Sequence, residues 1–83
     1  MGLIDLLAGR PAPARFARIV TRALRRHGVQ SPVRFDPQEF CLEIGEGADG
    51  HRFLLGNAYE QYPATPRLRP FVHTVLQSRV REA

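Results

Sequence analysis

Lysine is absent from this 83-residue sequence, and cysteine occurs once, at Cys41. A single thiol excludes an internal disulfide, so the fold is not a disulfide scaffold. A lone cysteine suits a reducing compartment, and a cytoplasmic location is expected. Long apolar runs are missing too. The stretch Leu3–Ala8 is short, Asp5 interrupts it and no basic segment precedes it. It reads neither as a signal peptide nor as a membrane span. Gly2 lacks the Ser or Thr at position 6 that a myristoylation signal wants, since Leu6 stands there. There is no internal repeat and no low-complexity segment.

What is present fits one ordinary globular unit. Hydrophobic residues make up 43% and charged residues 24%, close to average usage, so long disorder is not expected. A chain of this size buries only roughly 60–65% of its unfolded surface, which makes its stability marginal. Every one of the 12 basic residues is arginine and the net charge is +4. Such a set fits GC-rich codon usage. It also fits selection for bidentate phosphate or carboxylate contacts, which arginine makes better than lysine.

The charge is laid out in blocks. Leu6–Phe35 holds seven arginines and no acid, Asp36–Glu60 six acids and one arginine, and Gln61 onward four arginines and one acid. Folding is expected to set the acidic middle against the basic ends and so reduce the field available to a nucleic acid.

Periodicity gives the elements. Phe16, Ile19, Val20, Ala23 and Leu24 mark one helical face over Ala14–His27. Pro13 suits the first turn, and Gly28 a left-handed cap. Val33–Phe35, Phe40–Ile44 and His51–Leu55 alternate as strands, with Asp36-Pro37 as a turn between the first two. Phe40, Leu42 and Ile44 should face one way, Cys41 and Glu43 the other. Asn57 is a good N-cap for a short helix through Tyr62. A last helix begins near Pro70, with Phe71, Val72, Val75, Leu76 and Val80 at helical spacing. The order α-β-β-β-α-α predicts an α+β two-layer sandwich, a three-stranded antiparallel meander with two amphipathic helices on one face. Residues 1–10 form a short apolar segment and 11–83 a single domain.

Candidate chemistry is sparse. The loop Gly45–Gly50 lacks the Gly-Lys-Ser/Thr of a phosphate cradle and carries Glu46 and Asp49, so it reads as a hairpin turn. His27, His51 and His73 fall on three elements, and Cys41 faces away from His51. None has metal-ligand spacing. No base is placed for Cys41 as a nucleophile. No cofactor, metal or catalytic set is expected, and the chain does not read as an enzyme.

Two binding readings follow. In the first, the chain is a protein-interaction module. Leu3, Ile4, Leu6 and Leu7, together with Asn57, Tyr59 and Tyr62, would meet another protein or a second copy. The plainer role for the tyrosines is to lid the core. In the second, Arg15, Arg18, Arg22 and Arg26 form a stripe on the first helix that tracks a nucleic acid or another polyanion. The plainer role for that stripe is a solvated helix face.

Several pieces occur in a recognisable order: Met-Gly-Leu-Ile-Asp-Leu-Leu at the start, Phe16-Ala-Arg-Ile-Val-Thr-Arg-Ala-Leu24, Arg34-Phe-Asp-Pro37 with Phe40, Phe53-Leu-Leu-Gly-Asn-Ala-Tyr59 with Tyr62, and Arg69-Pro-Phe-Val. Together they resemble the N-terminal region of the uncharacterised bacterial YtpQ-like family, over about Phe16 to Leu76. The strand followed by Asn-x-Tyr-x-x-Tyr is the most specific piece. Members of that family are typically longer, so the resemblance implies a stand-alone or truncated N-terminal module. It carries no catalytic residues with it.

Overall fold

The structure, a computed structural model, describes residues 10–46 and 50–82, with the side chains described as far as residue 78. Helix α1 spans Pro13–Arg26. Strands β1 (Val33–Asp36), β2 (Cys41–Ile44) and β3 (His51–Leu54) follow. Helix α2 covers Gly56–Gln61 and α3 covers Arg69–Glu82. The strands form one antiparallel sheet in the order β1-β2-β3. The expected α+β order is what the chain adopts.

Helix α1 starts and stops for reasons visible in its ends. Pro13 sits at the start, where its missing N–H costs nothing because first-turn donors have no partner inside the helix. The carbonyl of Ala12 accepts from Phe16 at 2.8 Å. At the other end Gly28 adopts φ +90. Its N–H donates to the Arg25 carbonyl at 3.1 Å, and the Val29 N–H donates to the Leu24 carbonyl at 3.0 Å. This is the paired pattern of a Schellman cap. Its apolar clasp is present as well, since Val29 and Leu24 are both buried. Arg25 then holds the outgoing chain by donating to the carbonyls of Val29 (2.9 Å) and Ser31 (2.8 Å).

The core lies between the helices and one face of the sheet. Phe16, Val20 and Leu24 from α1, Leu42 and Ile44 from β2, Leu55, and Leu68, Phe71, Val72 and Val75 around α3 form one buried cluster. Phe16 is fully buried and is the centre of an aromatic group. Tyr59 and Tyr62 meet it edge-on at 5.0 and 5.3 Å between ring centres, and Phe40 lies at 6.4 Å. Phe40 also meets Tyr59 edge-on at 5.3 Å. Edge-to-face contacts add to simple burial because a ring's positive rim meets its neighbour's negative face.

Two local expectations need correcting. Phe40 is not a strand residue: it turns into the left-handed region at φ 50, and β2 begins at Cys41. The β1–β2 loop ends there after Asp36 Oδ1 has accepted the N–H of Gln38 (3.0 Å) and Glu39 (3.3 Å). The turn at Asp36-Pro37 stands as expected. Asn57 is not the N-cap of α2. That position falls to Leu55, which makes no side-chain cap. Leu55 is fully buried, its N–H donates to the Phe40 carbonyl (3.0 Å), and its own carbonyl accepts from Tyr59 (2.8 Å). Burying a leucine therefore overrides the better capping side chain two residues on. Cys41 lies on the outer face with Glu43 as expected, and it is buried there.

Leu68 is a second left-handed residue, at φ 59, just before α3. That conformation costs a non-glycine residue about 1–2 kcal/mol. Full burial of a leucine side chain returns about 1.5–3 kcal/mol, and Leu68 is 2% exposed. The packing gain outweighs the backbone cost.

At Gly28 a Cβ would meet nothing within 4 Å, so substitution there costs backbone strain alone. Gly28→Ala is expected to lower stability by about 1–2 kcal/mol in urea denaturation, and Gly28→Asn by less, since asparagine tolerates this region better. An unchanged midpoint for both would remove the cap from the account.

Candidate functional site

The two faces of the sheet separate the charge. On the outer face the register places Arg34 opposite Glu43 and Glu43 opposite Arg52. Arg34 donates to Glu43 Oε1, Arg52 reaches Glu43 Oε2 at 3.3 Å, and Asp36 lies 3.9 Å from Arg52. The hydrogen bond from Arg34, with Arg52 behind it, holds the Glu43 carboxyl below the ordinary glutamate range, partly opposed by burial. The same bond raises the Arg34 guanidinium. Beside this row, burial pushes the Cys41 thiol up, which lowers the thiolate fraction that a nucleophile would need.

The acids of the middle block thus meet arginines, but chiefly those of the sheet. Among the described residues no ion pair involves Arg15, Arg18, Arg22 or Arg26, and all four are exposed. Of the pairs on the sheet, Arg34–Glu43 alone joins a basic block to the acidic one, since Arg52 belongs to the acidic block itself, and among the described residues the helix stripe takes no part.

That stripe borders a groove. Between α1 and β1 lies an open cavity of about 440 Å³. Ala14 and Ala17 on the helix and Val33 and Phe35 on the strand give it an apolar lining, while Arg18, Thr21 and Arg22 supply the polar side chains. Phe16, one position from Ala17, turns inward to the aromatic group, and this fixes which face of α1 looks over β1.

The other sequence candidates are placed differently. Tyr59 and Tyr62 are half-buried against Phe16, a helix-α1 residue, and the Tyr59 hydroxyl donates to the Pro11 carbonyl at 2.6 Å. Arg10 adds a bond from Nη2 to the Glu60 carbonyl at 3.2 Å. These residues tie the chain before α1 to α2. Asn57 is exposed and borders a second groove of about 450 Å³, beside Leu54 and Phe71. Leu3, Ile4, Leu6 and Leu7 lie outside the described residues. His27 and His73 border one open groove beside Val72 and Leu76, while His51 lies on β3, and no cluster among the described residues has three metal-ligating side chains. No helix among them is long and apolar enough to cross a membrane.

Sequence reasoning missed the groove. Ala14 and Ala17, three apart on a helix, were its one local signal, because small residues leave room beside a neighbouring strand. The chain matches no family model, no curated protein and no solved structure. The resemblance to the YtpQ-like family therefore rests on the motifs quoted above.

A carboxylate whose pKa is lower in the folded than in the unfolded chain stabilises the fold above its unfolded pKa. That contribution is lost as pH falls through the folded value. Glu43 is such a group. Thermal melts of the protein and of Glu43→Gln should differ near neutral pH and converge below about pH 4. A difference that persists unchanged into acid would contradict the Arg34–Glu43–Arg52 row.

Proposed function

We propose that this chain is a non-enzymatic protein-interaction module whose working surface is the groove between α1 and β1. One observation carries the reading: two exposed arginines, Arg18 and Arg22, border an apolar groove and have no carboxylate partner among the described residues. Guanidinium groups left in this way favour an anionic partner, and the apolar lining favours one that also brings hydrocarbon. A polypeptide rich in glutamate supplies both.

A second reading is kept because Arg15, Arg18, Arg22 and Arg26 run as one exposed stripe, as a phosphate backbone would require. The two differ in which arginines matter. A peptide seated in the groove depends on Arg18 and Arg22, whereas a nucleic acid tracking the helix uses all four.

Fluorescence anisotropy with a labelled glutamate-rich peptide and a labelled single-stranded DNA, at low and moderate salt, separates them. The module reading expects the peptide to bind. It also expects the Arg18→Gln/Arg22→Gln double variant to lose at least about tenfold in affinity, near 1.4 kcal/mol. Arg15→Gln/Arg26→Gln should lose much less. Tighter DNA binding that falls steeply with salt and depends equally on all four arginines would give the site to nucleic acid. No binding to either probe would overturn both.

A further inference from the structure

The groove lies against a strand edge that is unpaired among the described residues, and that edge names the form of the partner. Among the described residues β1 pairs on one side only, with β2. The Gly45 N–H donates to the Pro32 carbonyl at 2.9 Å. In an antiparallel ladder the residues that exchange bonds alternate. With the observed register, Arg34 therefore bonds with Glu43 and Asp36 with Cys41. Val33 and Phe35 are left with their N–H and C=O groups directed at the open edge. Both residues also line the groove.

We infer that an extended, glutamate-bearing segment of another protein adds as a fourth strand along β1, beneath Arg18 and Arg22. This rests on the interaction reading above and specifies its mode. Three features converge on it. The outward groups of Val33 and Phe35 match a strand's backbone, donor to acceptor and acceptor to donor, whereas a phosphate backbone offers acceptors alone and leaves the two carbonyls unmatched. The apolar lining accommodates the two methylenes of a glutamate while its carboxylate reaches the helix.

The spacing also agrees. Arg18 and Arg22 are four residues apart on α1, about 6 Å along its axis. Side chains on one face of a strand recur every second residue, about 6.6–6.8 Å apart. The carboxylates of a Glu-x-Glu segment thus recur at nearly the same interval as the two guanidiniums. The opposite edge, at β3, offers no such match. Its arginine, Arg52, is already engaged by Glu43 and Asp36.

The probe is a capped peptide of alternating glutamate and valine. It is compared with two versions of itself, N-methylated at the glutamate amides in one and at the valine amides in the other. Strand addition needs donors along one edge of the peptide. One of the methylated versions should therefore lose at least about tenfold in affinity while the other binds as the parent does. In the complex, hydrogen exchange at the Val33 and Phe35 amides should slow, while exchange at Arg52 and Leu54 on the far edge should not. Equal binding by all three peptides, lost only in Arg18→Gln/Arg22→Gln, would overturn strand addition and leave the interaction reading standing. Failure of the parent peptide and of the glutamate-rich probe alike would remove both.

Discussion

The contact on which the rest depends is the packing of Phe16 against Tyr59 and Tyr62, with Phe40 beside them. These rings come from α1, from α2 and the residue that follows it, and from the end of the β1–β2 loop. None of those pieces could hold its position alone. A fourteen-residue helix is marginal by itself, α2 is only six residues long, and four-residue strands need a covered face. Joined through one buried ring, they define a single arrangement. The Leu55–Phe40 hydrogen bond and the Tyr59–Pro11 bond then fix α2 to the loop on one side and to the chain before α1 on the other.

From this follows the separation of charge. Because Phe16, Val20 and Leu24 turn inward, Arg18 and Arg22 stay on the exposed side of α1, where they border the groove beside β1. The sheet's outer face meanwhile consumes its own charges in the row Arg34–Glu43–Arg52. Exposed pairs of this kind add little to stability, but they determine which arginines remain available. Net charge alone would not distinguish those engaged on the sheet from those left on the helix.

Much of the fold was legible in the residues. Pro13 and Gly28 bracket α1, Asp36-Pro37 marks the first turn, and the alternation of Val33, Phe35, Leu42, Ile44 and Phe53 gives the inner face of the sheet. The misreadings share a cause. Phe40 and Leu68 take a conformation that local preference disfavours, and Leu55 takes a cap position that Asn57 suits better, because burial elsewhere outweighs the local term. The ion pairs were hidden for another reason. They depend on strand register, which sets Glu43 between Arg34 and Arg52, whereas block-wise counting set the acids against the two basic ends. The groove needed the knowledge that β1 is an edge strand lying beside Ala14 and Ala17, which is a long-range relation.

The central claim is that the ring geometry around Phe16, and not burial of an apolar side chain alone, holds α1 in place. Urea denaturation of Phe16→Leu tests it most directly. Swaps between apolar side chains of similar volume usually cost less than about 1.5 kcal/mol. Losing the edge contacts with both tyrosines adds about 0.5–1.5 kcal/mol for each. The account predicts a total loss above about 2 kcal/mol, a large share of a domain stability on the order of 5–15 kcal/mol. A loss below about 1 kcal/mol would contradict it.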